Sequence, residues 1–494
     1  MTERTKLGLG VLLAGLAVGI VGDGLLRVSP WGINILLWTV TIVLAAVIMV
    51  CSRGIQLLGE GRWLVLPALL FAAALAWRDS LTLGILNVLA VLLALALAAS
   101  RARTGQLRIA TILQYVLDPL LAGIHAVAGA ALLVFKDIGW QDIPRSGFTR
   151  QSLAVVRGLI IGLPLIVCFG LLFMAADAVF QGMTEGVFRW LFTDVAGHVV
   201  LTLVLGWLVA GFLRFALIAT YTVPTGNDGA GFKPLGLVEA SIVLGMLNLL
   251  FLAFVLVQFR YFFGGSAMVE ASTGLTYAEY ARRGFFELVT VAALMLALLL
   301  AADWVVHRDN SIQRRVFALL VVALVGLLFV VMASAFQRMR LYQVEFGQTE
   351  LRLYTTIFMG WIGVVFLWFL ATVVRGRRSH FAFGMLVTGL LAVAFLNVMN
   401  PDEAIVRVNV DRSRSGQPLD GYYVASLSAD AVPALLELLP DVPDKERRLI
   451  AVSLLGWREP STSSDWRSWN IGRVGAASAV RASMDRLKVL AELP

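Results

Sequence analysis

The chain has 494 residues; 59% are hydrophobic and 15% are charged, the net charge is +8 and the mean hydropathy is +0.84. Soluble domains average about 45–50% apolar and about 25% charged, and a single soluble core of this length could not hide so much apolar surface. The basic residues sit between apolar runs, where orientation in a membrane needs them, so the positive balance points to a lipid bilayer as partner and away from nucleic acid.

A membrane-crossing helix needs about 20 mostly apolar residues. Runs that meet this, or nearly so, fall at 7–26, 31–51, 63–77, 81–99, 153–176, 195–218, 237–260, 285–306, 314–336, 353–374 and 381–399. The fold class expected is therefore all-α, a polytopic transmembrane bundle over residues 1–400, followed by a small soluble helical domain over 401–494. The first run follows Arg4 and Lys6, but no clear small-x-small cleavage site leads into polar mature sequence, so it reads as a retained helix. Gly15-x-x-x-Gly19 and Gly158-x-x-x-Gly162 are spaced for close helix–helix contact. Cys51 and Cys168 read as small apolar packing residues.

Segment 113–135 carries Asp118-Pro119 and His125 within an Ala- and Gly-rich run. It fits either a twelfth span or a re-entrant or interfacial element, whose backbone would have to find its hydrogen bonds within protein. In the first 110 residues one set of loops holds Arg4, Lys6, Arg53, Arg62, Arg101, Arg103 and Arg108, and the other holds only Arg27 and Arg78. The amino terminus is therefore expected in the cytoplasm of a bacterial inner membrane. If 113–135 does not cross, the preferred reading because residues 101–157 are basic at both ends, the C-terminal domain lies outside. A crossing reverses everything that follows.

In the span ending VQFRYFFGG, Asn248 and Gln258 are expected to face the bundle, beside Arg260, and Gly264-Gly265 permits a chain reversal. Asp177 follows FGLLFMAA and fits a cap for the turn toward Phe180 or a proton carrier. Tyr280, Arg283 and Glu287 recur at spacings of 3 and 4, a helix face with one ion pair. Arg338, Tyr342, Glu345, Thr349 and Arg352 recur at spacings of 4, 3, 4 and 3 between two spans, provided that Gly347 does not break the helix. Charges at membrane depth are costly and often mark a site. The alternative is a solvated connecting helix with ion pairs worth about 0.2–0.5 kcal/mol each.

Beyond Asn400-Pro401 the apolar character stops. Asp430, preferred to Ser428, is expected to cap a helix through Leu439 with Pro433 in its first turn; Asp444 caps a second helix to about Leu455, and a third covers 467–491. None of the usual nucleotide, zinc-protease, serine-hydrolase or dithiol motifs is present. His125, His198, His307 and His380 are scattered, so no catalytic residue, metal or cofactor is assigned.

The runs FGLLFMAADAVF, LNLLFLAFVLVQFRYFFGG, GLTYAEYARRGFFELVTVAAL, LYQVEFGQTELRLYT, NPDEAIVRVNV, YYVASLSADAVPALLEL and DWRSWNIGR resemble a bacterial membrane family. Its label is domain of unknown function four-one-seven-three, related to four-one-five-three, and the likeness covers about residues 150–475. The resemblance implies a polytopic membrane protein with a soluble C-terminal tail. It implies no activity. Three functional classes stand: a transporter with a polar intramembrane cavity; a sensor, regulator or scaffold with a protein partner at 401–494; and, last, an enzyme acting on lipid-linked substrates.

Overall fold

The computed structural model describes residues 2–103, 105–142, isolated positions and short pieces between 155 and 182, and residues 195–219, 236–273, 285–306, 310–456 and 465–492. Every regular element among them is helical. In chain order the helices are α1 Glu3–Leu26, α2 Ile33–Arg53, α3 Val65–Trp77, α4 Leu81–Arg101, α5 Ile112–Leu132 and α6 Val195–Leu217. Then come α7 Leu237–Thr273, α8 Phe285–Val305, α9 Ser311–Phe346, α10 Glu350–Thr372 and α11 Phe381–Met399. The C-terminal helices are α12 Pro401–Arg414, α13 Gly421–Ala425, α14 Val432–Leu438, α15 Asp444–Gly456, α16 Ile471–Ala482 and α17 Met484–Glu492.

Eleven described helices are long and apolar enough to cross a membrane. Ten coincide with expected spans. The eleventh is 112–137, a continuous helix with a wider terminal turn rather than a hairpin of irregular backbone. The expected span 153–176 lies largely outside the described residues. The chain divides into two compact units, one of residues 1–107, 113–224 and 459–471, the other of 108–112, 225–458 and 472–494.

In the first unit α1 and α6 run antiparallel with their backbones nearly touching. A Cβ at Gly15 would lie 2.7 Å from the Gly206 carbonyl oxygen, and one at Gly19 would lie 2.8 Å from the Gly206 nitrogen. The Gly15/Gly19 spacing thus performs the expected close contact. No described atom comes within 4 Å of a Cβ built at Gly158 or Gly162. Cys51 is exposed, not packed, at the end of α2.

Hydrogen bonds identify the two ends of this unit. At the amino-terminal end Arg53 Nη2 donates to the Lys6 carbonyl at 3.0 Å, Gly59 N to Ala102 O at 2.9 Å, and Arg103 Nη1 to Leu217 O at 3.3 Å. At the opposite end Asp23 meets Arg27 Nε at 2.7 Å and His198 Nδ1 at 2.5 Å. Residues 465–471 also pack at that opposite end. Ile33 N donates to Trp469 O at 2.9 Å, and the buried Asn470 amide donates to Leu75 O and Arg78 O at 2.9 and 3.0 Å. Those bonds engage the last turn of α3, whose carbonyls lack partners within the helix.

The second unit is built around α7–α10, with Leu244, Leu299, Leu324, Leu328 and Phe366 almost fully buried. Helix α7 continues through Gly264-Gly265 to Thr273, where the sequence suggested a reversal. Glycine permits a reversal but does not impose one; within a helix it costs only about 1 kcal/mol relative to alanine. Helix α9 is 36 residues long, or about 54 Å. A bilayer core takes about 20 residues, so its last turns are available to the C-terminal helices.

Those helices close over Val406, Val410, Leu435, Leu439, Ile450 and Leu487. Helix α12, not foreseen in the sequence, begins at Pro401 after Asn400. Asp430 does not act as a cap. Ser428 accepts from Asp430 N, opening a 3-10 turn that leads into α14, and its own N–H and hydroxyl donate to the buried Asp402. Burial of Asp402 beside Ser428 fixes the choice that local spacing left to preference. Pro433 does lie in the first turn. Asp444 is the first residue of α15, and the expected third helix is two, α16 and α17, parted at Ser483.

Candidate functional site

The stretch Arg338–Arg352 does not form one helical face. Helix α9 stops at Phe346 and α10 begins at Glu350. Gly347 has φ 76°, a conformation that β-carbon-bearing residues avoid, and a Cβ there would also lie 2.6 Å from Asn409 Oδ1. Arg338, Tyr342 and Glu345 therefore belong to one helix, Arg352 to the next, and Thr349 is the residue before α10 with no side-chain capping bond.

The turn still brings several of these residues together. The Arg352 guanidinium lies 4.1 Å from the centre of the Tyr342 ring, and its Nη1 donates to Phe346 O at 3.1 Å and to Gly347 O. Gln343 Nε2 donates to Thr356 Oγ1 at 3.2 Å. Carbonyls at a helix C-terminus carry partial negative charge and lack internal donors, so an arginine is well placed there.

The C-terminal helices grip the same turn. Asn409, on α12, accepts from Gln348 N at 2.7 Å and donates to Gln348 O at 2.9 Å, a two-point bond to the main chain of one buried residue. Arg412, one turn on, donates to Glu345 O at 2.8 Å and to Pro418 O. Burial pushes the Arg412 guanidinium below its ordinary value, against the pull of nearby Glu345. Tyr423, on α13, accepts from Glu350 N at 2.8 Å. The site is thus a polar joint in which two membrane helices meet the C-terminal helices through main-chain hydrogen bonds. Sequence reading missed Gln348, Asn409, Arg412 and Tyr423; the signal available was Gly347 as a helix stop, followed by the unclaimed amphipathic run 401–414.

Burial raises the Tyr423 phenol above its ordinary value, as do the Glu350 and Asp402 carboxylates; the Glu350 N–H and Arg352 oppose this. A pKa raised by folding gives stability that is whole below the unfolded value, about 10, and is lost as pH climbs through the folded one. The melting midpoint of the purified protein is expected to fall above about pH 10, and Tyr423→Phe to flatten that fall while costing about 1 kcal/mol at neutral pH. A midpoint that falls identically in both proteins assigns the alkaline transition to another group.

The remaining expected residues are dispersed. Asn248 Nδ2 donates to Leu244 O at 2.8 Å and across to Leu320 O on α9 at 3.0 Å, an interhelical amide bond. Gln258 is buried. Arg260 lies on α7, but its side chain is outside the described residues, as are Tyr280 and Arg283 entirely. Glu287 is exposed near the start of α8. Asp177 accepts from Val179 N at 2.7 Å and Phe180 N at 3.0 Å, a local turn cap. Among the described residues no three metal-ligating side chains cluster.

The first unit holds buried charges that the sequence reading did not assign to a site. Asp137, with its side chain fully buried, binds Arg4 Nη2 at 2.6 Å and Arg214 Nε at 2.5 Å; Arg214 is itself buried and its Nη1 is 3.4 Å from His125 Nδ1. Asp118, also buried, binds Arg101 Nε at 2.7 Å and Ser100 Oγ at 3.2 Å. Charged residues within apolar runs were the available signal.

A family model described as Domain of unknown function (DUF4153) matches residues 65–438. This is the family named above as the relative of four-one-seven-three, and the match does not carry the latter label. No curated protein and no solved structure matches the chain.

Proposed function

The chain belongs to the DUF4153 family, a domain of unknown function, and has eleven described helices able to cross a membrane; from that premise we propose that it is a sensor, regulator or scaffold whose C-terminal domain acts on the membrane helices. One observation carries this reading: Asn409 holds both the N–H and the C=O of Gln348, at the turn shared by α9 and α10. A force or partner acting on the domain reaches two long helices through that bond. The candidate residues between 338 and 352 serve the joint in this reading, and a transport cavity is not needed to explain them. We place the protein in a bacterial cytoplasmic membrane with its amino terminus inside, from the distribution of Lys and Arg. An extracytoplasmic position for the residues after 400 follows from that distribution of Lys and Arg if 113–135 does not cross.

Asn409→Ala tests the coupling. It removes two hydrogen bonds worth about 1 kcal/mol each, so hydrogen exchange over residues 340–352 is expected to speed up at least about tenfold while exchange in the core of α14 and α15 holds. Unchanged exchange in that turn would remove the joint from the mechanism. The transporter reading draws on the buried carboxylates Asp118 and Asp137. It would gain from proteoliposome flux that disappears in Asp118→Asn without loss of folded protein.

A further inference from the structure

We propose that α5 lies in the plane of the membrane, within the headgroup–acyl boundary of the leaflet at the amino-terminal end of the first unit, and does not cross the bilayer. The argument starts from its two tethers. Near its start Asp118 is bound by Arg101, the last residue of α4, and Tyr115 Oη donates to Leu107 O at 2.9 Å. About 28 Å further along, Asp137 is bound by Arg4 at the start of α1 and by Arg214 in the last turn of α6. All three arginines belong to the same end of the unit. A crossing helix carries its two ends to opposite ends of a bundle, as α1 does when it runs from Arg4 to Asp23.

The contacts between the tethers stay at that end. Ala122 packs with Ala96, Ala99 and Phe215, and a Cβ at Gly129 would lie 2.9 Å from the Gly211 Cα. The α4 and α6 residues touched here fall within about two turns of their helix ends, except Trp207, about three turns from the end of α6, whose indole Nε1 donates to Val127 O at 2.6 Å. The face turned away is apolar: Leu113, Val116, Leu120, Ile124 and Val127, at spacings of 3, 4, 4 and 3, are each more than half exposed. Lys136 and Arg62 are exposed at the same end. An apolar face flanked by cations fits the boundary of a leaflet with anionic headgroups. The described chain then stands at the amino-terminal end at Asp137 and at the opposite end at His198, and the sequence between them contains the apolar run 153–176, which has the length of a span. This inference does not depend on the role given to the C-terminal domain.

The test is depth. With Cys51 and Cys168 replaced by serine, single cysteines at Leu113, Leu120 and Val127 are labelled with a small environment-sensitive fluorophore. The full chain is then reconstituted in vesicles of phosphatidylethanolamine and phosphatidylglycerol, with lipids brominated at a series of acyl positions as quenchers. All three labels are expected at one shallow depth, within about one helical turn, ~5 Å. A depth that changes steadily from 113 to 127, by about 21 Å, would show a crossing and overturn the proposal. Absence of quenching at all three would place α5 in water and overturn it equally.

Discussion

Asp137→Ala is expected to destabilise the protein by about 3–5 kcal/mol, the cost of leaving a buried partner charge uncompensated. The reason is local. The Asp137 side chain is fully buried and Arg214 is 6% exposed, so neither has water to fall back on once the pair is broken. Arg4, the second partner, is more than half exposed and resolvates cheaply. Arg214 therefore bears most of the penalty, and Arg4→Ala should cost much less, in the range of about 0–1 kcal/mol typical of exposed pairs. Replacing the buried pair together, Asp137→Leu with Arg214→Met, should recover much of the loss, because no charge is then stranded. Melting midpoints of the three purified variants in detergent or nanodiscs, compared with the parent, measure these effects. Equal midpoints for Asp137→Ala and the parent would mean that the pair contributes nothing to the fold.

Gly19→Leu is the second large effect. Association of helices in lipid relies on packing, because lipid tails solvate apolar side chains as well as leucine does. At Gly19 even the first side-chain carbon would sit 2.8 Å from the Gly206 nitrogen and 2.9 Å from its Cα. These are main-chain atoms and cannot turn aside. Overpacking against adaptable side chains costs about 1–3 kcal/mol; here α1 and α6 must separate, and loss of most monodisperse folded protein is expected. Gly206→Leu should reproduce the defect from the other side. Gly24→Ala, on the same helix with no described atom within 4 Å of its Cβ, should be neutral or stabilising by up to about 1 kcal/mol. Size-exclusion profiles of the detergent-solubilised proteins separate these cases. A Gly19→Leu profile matching that of Gly24→Ala would deny the close approach of the two backbones.

The sequence by itself determined the solvent, the fold class and most spans. Those properties are sums over about 20 residues, so no single neighbour can overturn them. The break before α12 was legible for the same reason, and the Gly15/Gly19 contact because small residues at that spacing have one common use in an apolar helix. Tertiary structure decided the rest. The 338–352 stripe assumed one continuous helix, and Gly347, with its positive φ, divides it between α9 and α10. Asn409, Arg412 and Tyr423 are about 60 to 75 residues from the turn they hold, and no local periodicity records such a pairing. Asp137 finds Arg4 and Arg214 across separations of 133 and 77 residues. The segment 113–135 shows the division best. Its composition fits crossing and lying flat equally well, because lipid meets an apolar face in both. Only the arginines that bind Asp118 and Asp137, brought to one end of the bundle by the packing of α1, α4 and α6, distinguish the two, since a buried carboxylate must stay where its partner is.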